Sequence, residues 1–163
     1  MPPKRRQGAR TRAARPALRA LVVVSRFNER VTKLLLEGAT SVLNSSGYKN
    51  RTDVVWVPGA FELPVTIARG LVTDRYELAV ALGAVIRGET PHFDYVASEA
   101  TRGIGEVARR TSIPVGFGLL TCDNEEQAFA RAGGKSGNKG EDAARAAVET
   151  VQALAALEGR APA

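Results

Sequence analysis

One stretch concentrates the chemistry of this chain: Gly83-Ala84-Val85-Ile86-Arg87-Gly88-Glu89-Thr90-Pro91-His92. It contains the only histidine in the sequence, beside an arginine, a hydroxyl and two glycines. Histidine is the side chain whose ordinary pKa, roughly 6.5, permits proton exchange near neutrality. A positioned one contributes on the order of 10²–10⁴ in rate as a general acid or base. Backbone amides around Gly88–Thr90, next to a helix start near Phe93, suit a phosphate. A lone histidine is also often a capping or surface residue, so both readings of His92 stand at this point.

Two further stretches offer binding chemistry. In Arg26-Phe27-Asn28, the Phe27 ring could stack on a planar heterocycle or simply pack under the next helix. In Pro58-Gly59-Ala60-Phe61-Glu62, Gly59 permits a tight turn and close approach of the backbone to a ligand. Glu62 could accept hydrogen bonds from hydroxyls, or merely sit where the dipole of a helix start favours a carboxylate. Cys122, the only cysteine, lacks a second histidine to activate it and reads as a buried thiol. One His and one Cys do not supply a usual zinc ligand set, so no metal is expected; no cofactor is expected either. Gly134-Lys135-Ser136 mimics the end of a phosphate-binding P-loop, but Phe129 stands where the first glycine should be.

The elements that must position these residues alternate. Ala20–Ser25 is a continuous apolar run, as in a strand buried on both faces. Asn28 is a candidate cap for a helix whose Val31, Leu34, Leu35, Val42 and Leu43 share a face, and Gly47 supplies its stop. Further strands are predicted at Asp53–Val57, Leu78–Leu82 and Val115–Thr121. Helices are predicted over Pro64–Leu71, 93–110, 124–131 and 141–157. Such alternation implies an α/β fold: a three-layer α/β/α, flavodoxin-like domain with a four-stranded parallel sheet. Ligands in such sheets bind beyond the carboxyl ends of the strands. The residues after Ser25, Val57, Gly83 and Thr121 are therefore where the site is expected.

Composition bounds the class. With 163 residues, 44% of them apolar, the chain can bury one sizeable core. The net charge of +6 misleads, because residues 1–19 hold seven cations and no acid, leaving −1 for residues 20–163. We expect a basic arm over 1–19, one domain over 20–158 and a short tail over 159–163. The arm reads as a solvated segment, or else as a contact for nucleic acid. No apolar run approaches the roughly 18 residues that span a bilayer. Neither a secretory signal nor an amphipathic targeting helix is evident at the basic start, and a single cysteine suits a reducing compartment. A cytoplasmic location without membrane contact is expected.

Together, the segments SRFNE (25–29), WVPGAFELP (56–64), ALGAVIRGETPHFDYVASE (81–99), FGLLT (117–121) and EQAFARAGGKSGNKG (126–140) resemble the lumazine synthase family, in order, from about Leu21 to Leu154. That resemblance implies condensation of 5-amino-6-(D-ribitylamino)uracil with 3,4-dihydroxy-2-butanone 4-phosphate to give 6,7-dimethyl-8-ribityllumazine, phosphate and water, the penultimate step to riboflavin. It also implies roles. Phe27 stacks on the pyrimidine, while Ala60, Phe61 and Glu62 hold the ring amine and ribityl chain. Ala84, Val85 and Ile86 meet the uracil edge through their backbones. Glu89 and Thr90 bind the phosphate, and His92 moves the protons. Phe117 and Arg131 come from the neighbouring subunit, to cover the ring and to pair with the phosphate. Family members form pentamers, some of them stacked as decamers or assembled as sixty-subunit shells, and riboflavin synthase is an implied partner. The loop GGKSGNKG (133–140) resembles that of shell-forming members. Residues 1–19 depart from the family pattern, with few strand formers where an N-terminal strand is often lent to a neighbour. Two other classes remain open: a catalytically silent shell protein, and a nucleic-acid-binding protein that uses the basic arm.

Overall fold

Alternation along the sequence becomes layering in space. The computed structural model describes residues 17–160. Its elements are β1 (Arg19–Ser25), α1 (Glu29–Leu43), β2 (Thr52–Val57), α2 (Leu63–Leu71), β3 (Tyr76–Ile86), α3 (His92–Thr111), β4 (Val115–Cys122), α4 (Glu125–Arg131), the short strands β5 (Ala132–Gly134) and β6 (Gly137–Asn138), and α5 (Lys139–Leu157). Four parallel strands lie in the order β2-β1-β3-β4. Along β1, Ala20, Val22 and Val24 enter one buried cluster with residues of α1 and α5. Leu21 and Val23 enter another, with residues of α2 and α3. The expected three-layer arrangement is present, and β1, covered on both faces, is the buried strand its composition implies.

Helices meet closely where side chains are absent. A Cβ added at Gly140 would collide with the Leu35 carbonyl oxygen, so this glycine lets the start of α5 lie against α1. Asn138 secures the same junction. Its Oδ1 accepts from the Gly140 and Glu141 amides at 2.8 and 3.3 Å, and its Nδ2 donates to the Leu34 carbonyl at 3.0 Å.

Several expectations need correction. Strand β3 does not stop at Leu82: pairing with β4 carries Gly83–Ile86 into the sheet, opposite Leu119–Cys122. The same pairing makes Cys122 the last residue of β4 rather than part of the following loop. Strand β2 reads like β1 but lies at a sheet edge, leaving Val54 and Val55 exposed. Leu34 and Val42 flank the buried face of α1 and are only half-buried. Asn28 stands at the N-cap position of α1 yet makes no side-chain cap, because its left-handed backbone (φ 58°) directs the amide elsewhere. Residues 133–140, expected as loop, include the β5–β6 pair. Of the arm expected over 1–19, residues 1–16 lie outside the described residues, and Arg19 already belongs to β1. Residues 161–163 of the tail lie outside them too.

Candidate active site

The sheet order reverses between β1 and β3, which is where a flavodoxin-like sheet opens a crevice. Three segments meet there. The turn after β1 supplies Phe27, whose backbone N–H donates to the Pro58 carbonyl at 3.1 Å. The turn after β2 supplies Gly59–Glu62, coiled into one turn of 3-10 helix over Ala60–Glu62. Strand β3 and the loop behind it supply Ala84 to His92, with His92 opening α3.

Phe27, Ala60, Phe61, Glu62, Ala84, Val85, Ile86, Thr90 and His92 line one cleft of about 900 Å³. Nine of the twelve residues named from the sequence thus converge within one chain. Phe27 and Phe61 are 71% and 60% exposed, respectively, so they present ring faces rather than filling the core. The packing reading of Phe27 therefore fails. A Cβ on Gly59 would come within 3.0 Å of the Phe27 ring and 3.2 Å of Glu62 Oε2, so a side chain there would push both slightly aside. Glu62 serves the local fold as well: its Oε2 accepts from the Gly59 amide at 2.9 Å, which fixes the direction of the carboxylate.

Helix α3 starts at Pro91 without a side-chain cap. The amides of His92 and Phe93, together with the exposed loop Gly88–Thr90, are open to an anion, whereas the Asp94 amide donates to the Pro91 carbonyl at 3.0 Å. A Cβ at Gly88 would meet nothing within 4 Å. His92 is exposed on the first turn, facing the cleft. Arg87, next to this loop, is committed elsewhere. Its Nε donates to Asp123 at 3.0 Å, its Nη1 lies 3.6 Å from Asp94, and its guanidinium is 4.5 Å from the Phe93 ring centre. Among the described residues that line the cleft there is no lysine or arginine, whereas Glu62 and Glu99 both line it.

Three expected residues do not line this cleft: Glu89, Phe117 and Arg131. Glu89 is exposed in the loop. Phe117 lies on the edge strand β4, 47% exposed. Arg131 ends α4, half-buried, and donates to the Gln127 carbonyl at 3.1 Å. Cys122 is buried, and burial pushes its thiol up, so it stays protonated near neutrality and is no nucleophile.

Sequence reasoning missed five lining residues, Asn28, Ser98, Tyr95, Val96 and Glu99. The last three follow His92 at helical spacings of three, four and seven, so a helix-face reading from His92 would have found them. Among the described residues, no group of three or more His, Cys, Asp or Glu side chains could hold a metal ion. No helix among them is long and apolar enough to cross a membrane.

Comparison with known proteins points to one family. A family model described as 6,7-dimethyl-8-ribityllumazine synthase matches residues 17–155. A protein of that name from Gemmatimonas aurantiaca is 58% identical over 134 residues, covering 82% of each chain. Another, from Anaeromyxobacter sp. (strain K), is 52% identical over 147 residues and 90% of each chain. One from Clostridium kluyveri is 49% identical over 138 residues, 84% of this chain and 90% of its own.

Proposed function

Given that this chain belongs to the 6,7-dimethyl-8-ribityllumazine synthase family, we propose that the cleft at the carboxyl ends of β1, β2 and β3 is its active site, completed by an adjacent copy of the chain. The reaction is the condensation of 5-amino-6-(D-ribitylamino)uracil with 3,4-dihydroxy-2-butanone 4-phosphate, yielding 6,7-dimethyl-8-ribityllumazine, phosphate and water. The chain is a transferase of riboflavin biosynthesis.

In this reading Phe27 stacks on the pyrimidine, and the backbone of Ala84–Ile86 reads its edge. Ala60, Phe61 and Glu62 hold the ring amine and ribityl chain; with Glu62 Oε2 engaged by Gly59, Oε1 accepts from a ribityl hydroxyl. The amides of Gly88, Glu89 and Thr90, and the Thr90 hydroxyl, hold the phosphate at the start of α3. His92 then stands between the two substrates. Attack of the ring amine on the ketone, loss of water to give the imine, departure of phosphate and ring closure with loss of a second water all transfer protons, and one imidazole can serve each in turn. Holding two small molecules in register supplies much of the remaining acceleration.

The observation that carries the shared site is the cleft's charge. A phosphate needs a cation, yet the lining offers two glutamates and no lysine or arginine among the described residues. Arg87 is held by Asp123 and Asp94. This lining supports a cation supplied by another chain, with Arg131 the candidate and Phe117 covering the ring from the same neighbour. Such a site calls for an oligomer, and the family resemblance implies a pentamer, alone or within a larger shell.

Mixing both substrates with purified protein and following lumazine absorbance and fluorescence tests the reaction. Light scattering on the same sample reads the assembly. A monomer that turns over at full rate contradicts the shared site.

A further inference from the structure

Asn28 stands out at the cleft because its backbone and its side chain are both used unusually. It is one of few non-glycine residues with positive φ, at 58°, a conformation that asparagine tolerates better than most. Its side chain does not cap α1. Instead Nδ2 donates to the carbonyl of Ala84 at 2.8 Å, reaching across to β3. On the other side of the same turn, Arg26 and Phe27 donate through their amides to Val57 and Pro58, at 2.8 and 3.1 Å, at the end of β2. The turn that presents Phe27 is therefore anchored to β2 through its backbone and to β3 through one side chain.

We propose that Asn28 is a positioning residue for the pyrimidine substrate: its bond to Ala84 fixes the spacing between the stacking ring of Phe27 and the backbone edge of Ala84–Ile86. This rests on the assignment of that substrate to this cleft. A planar ring held on one face by Phe27 and along one edge by β3 tolerates little drift between the two. Without the Asn28 link, the turn keeps its backbone bonds to β2 and α1 and its continuity with β1 but loses its direct bond to Ala84, so the spacing between the two halves of the ring site is held less tightly. The phosphate loop and His92, placed by β3 and α3, are not reached by this link, so the effect falls on one substrate only.

The experiment is equilibrium binding of ribitylaminouracil alone, together with steady-state kinetics in both substrates, for wild type, Asn28→Gly and Asn28→Asp. Glycine keeps the left-handed backbone and removes only the link. Aspartate keeps the shape but sets an oxygen against the Ala84 carbonyl. Asn28→Gly is expected to raise the Kd and KM for ribitylaminouracil about five- to tenfold, in keeping with one lost hydrogen bond. The KM for the butanone phosphate and kcat should stay within about twofold. Asn28→Asp should be at least as impaired. Unchanged binding in both variants overturns the proposal. So does a parallel rise in both KM values with a lowered Tm, which marks a merely structural role. If the wild type binds ribitylaminouracil but forms no lumazine, the assigned reaction fails while the Kd comparison still decides the role of Asn28. Absence of wild-type binding overturns both.

Discussion

At the amino ends of the strands, Asp53 of β2 accepts from Arg19 Nη2 and Nε at 2.6 and 3.0 Å, from the Tyr76 hydroxyl at 2.7 Å and from Arg75 at 3.2 Å. At the carboxyl ends of the same strands, Phe27 and His92 face an open cleft, and the leading amides of α3 lack a side-chain cap. The first region joins the starts of β1, β2 and β3 through polar groups that satisfy one another. Hydrogen bonding from Arg19 holds the Asp53 carboxyl below the usual carboxylate range, while burial and Asp53 push the Tyr76 phenol up. The second region leaves its groups to a ligand. On the proposed reading, one end of the sheet serves folding and the other chemistry, and the strands between carry both.

If that division holds, substitutions at the two ends should separate activity from stability. The largest effect on rate belongs to His92→Ala, with kcat falling on the order of 10²-fold. Binding and orientation would sustain a residue of turnover, and Tm should be nearly unchanged because His92 is exposed. Steady-state kinetics with thermal unfolding checks this, and an unchanged rate removes the imidazole from the mechanism.

Arg131→Ala comes next, with the KM for the phosphate substrate rising about tenfold or more, in line with loss of a charge-assisted hydrogen bond. Co-assembling Arg131→Ala chains with His92→Ala chains should recover part of the activity. A site that takes its histidine from one variant and its arginine from the other is intact. No recovery would mean that the two residues serve the same chain.

Asp53→Asn tests the other end, where kcat should hold while stability drops by about 1–2 kcal/mol, a charged hydrogen-bond contribution reduced for its partial exposure. The sign with pH follows from the lowered carboxyl. Its contribution is fully present above the unfolded-state pKa of about 3.9 and is lost as pH falls through the lower folded value. The Tm gap between wild type and variant should stay constant from neutrality to about pH 5, then close below about pH 4. A gap that widens in acid contradicts the assignment.

The smallest effect of the four is expected for Cys122→Ala. This residue also lies at a carboxyl strand end but is buried, so kcat should remain within about twofold while stability falls by about 1 kcal/mol. A large loss of rate would show that position at the strand end matters more than exposure.

Much of this was legible in the residues themselves. The apolar run Ala20–Ser25, the amphipathic spacing of α1 and the glycines that follow α1 and β2, Gly47 and Gly59, fix a strand–helix alternation through local physics, and local physics is written along the chain. The strand-end residues were legible for the same reason: once the strands are found, a parallel sheet dictates which loops share an edge.

What the sequence left open depends on partners distant along the chain. Gly83–Ile86 became strand because β4 lies beside it, and β2 became an exposed edge although its composition matches a buried strand. Asn28 looked like a cap until the Ala84 carbonyl, 56 residues away, proved to be its partner. The junction of Arg19, Asp53, Arg75 and Tyr76 gave no local signal, since ion pairs have no periodicity. Residue order alone determined which elements form and which loops could carry chemistry. Only the tertiary structure decided which strand is edge, where each strand ends and which polar groups answer one another, because those outcomes are set by distances in space that no spacing along the chain encodes.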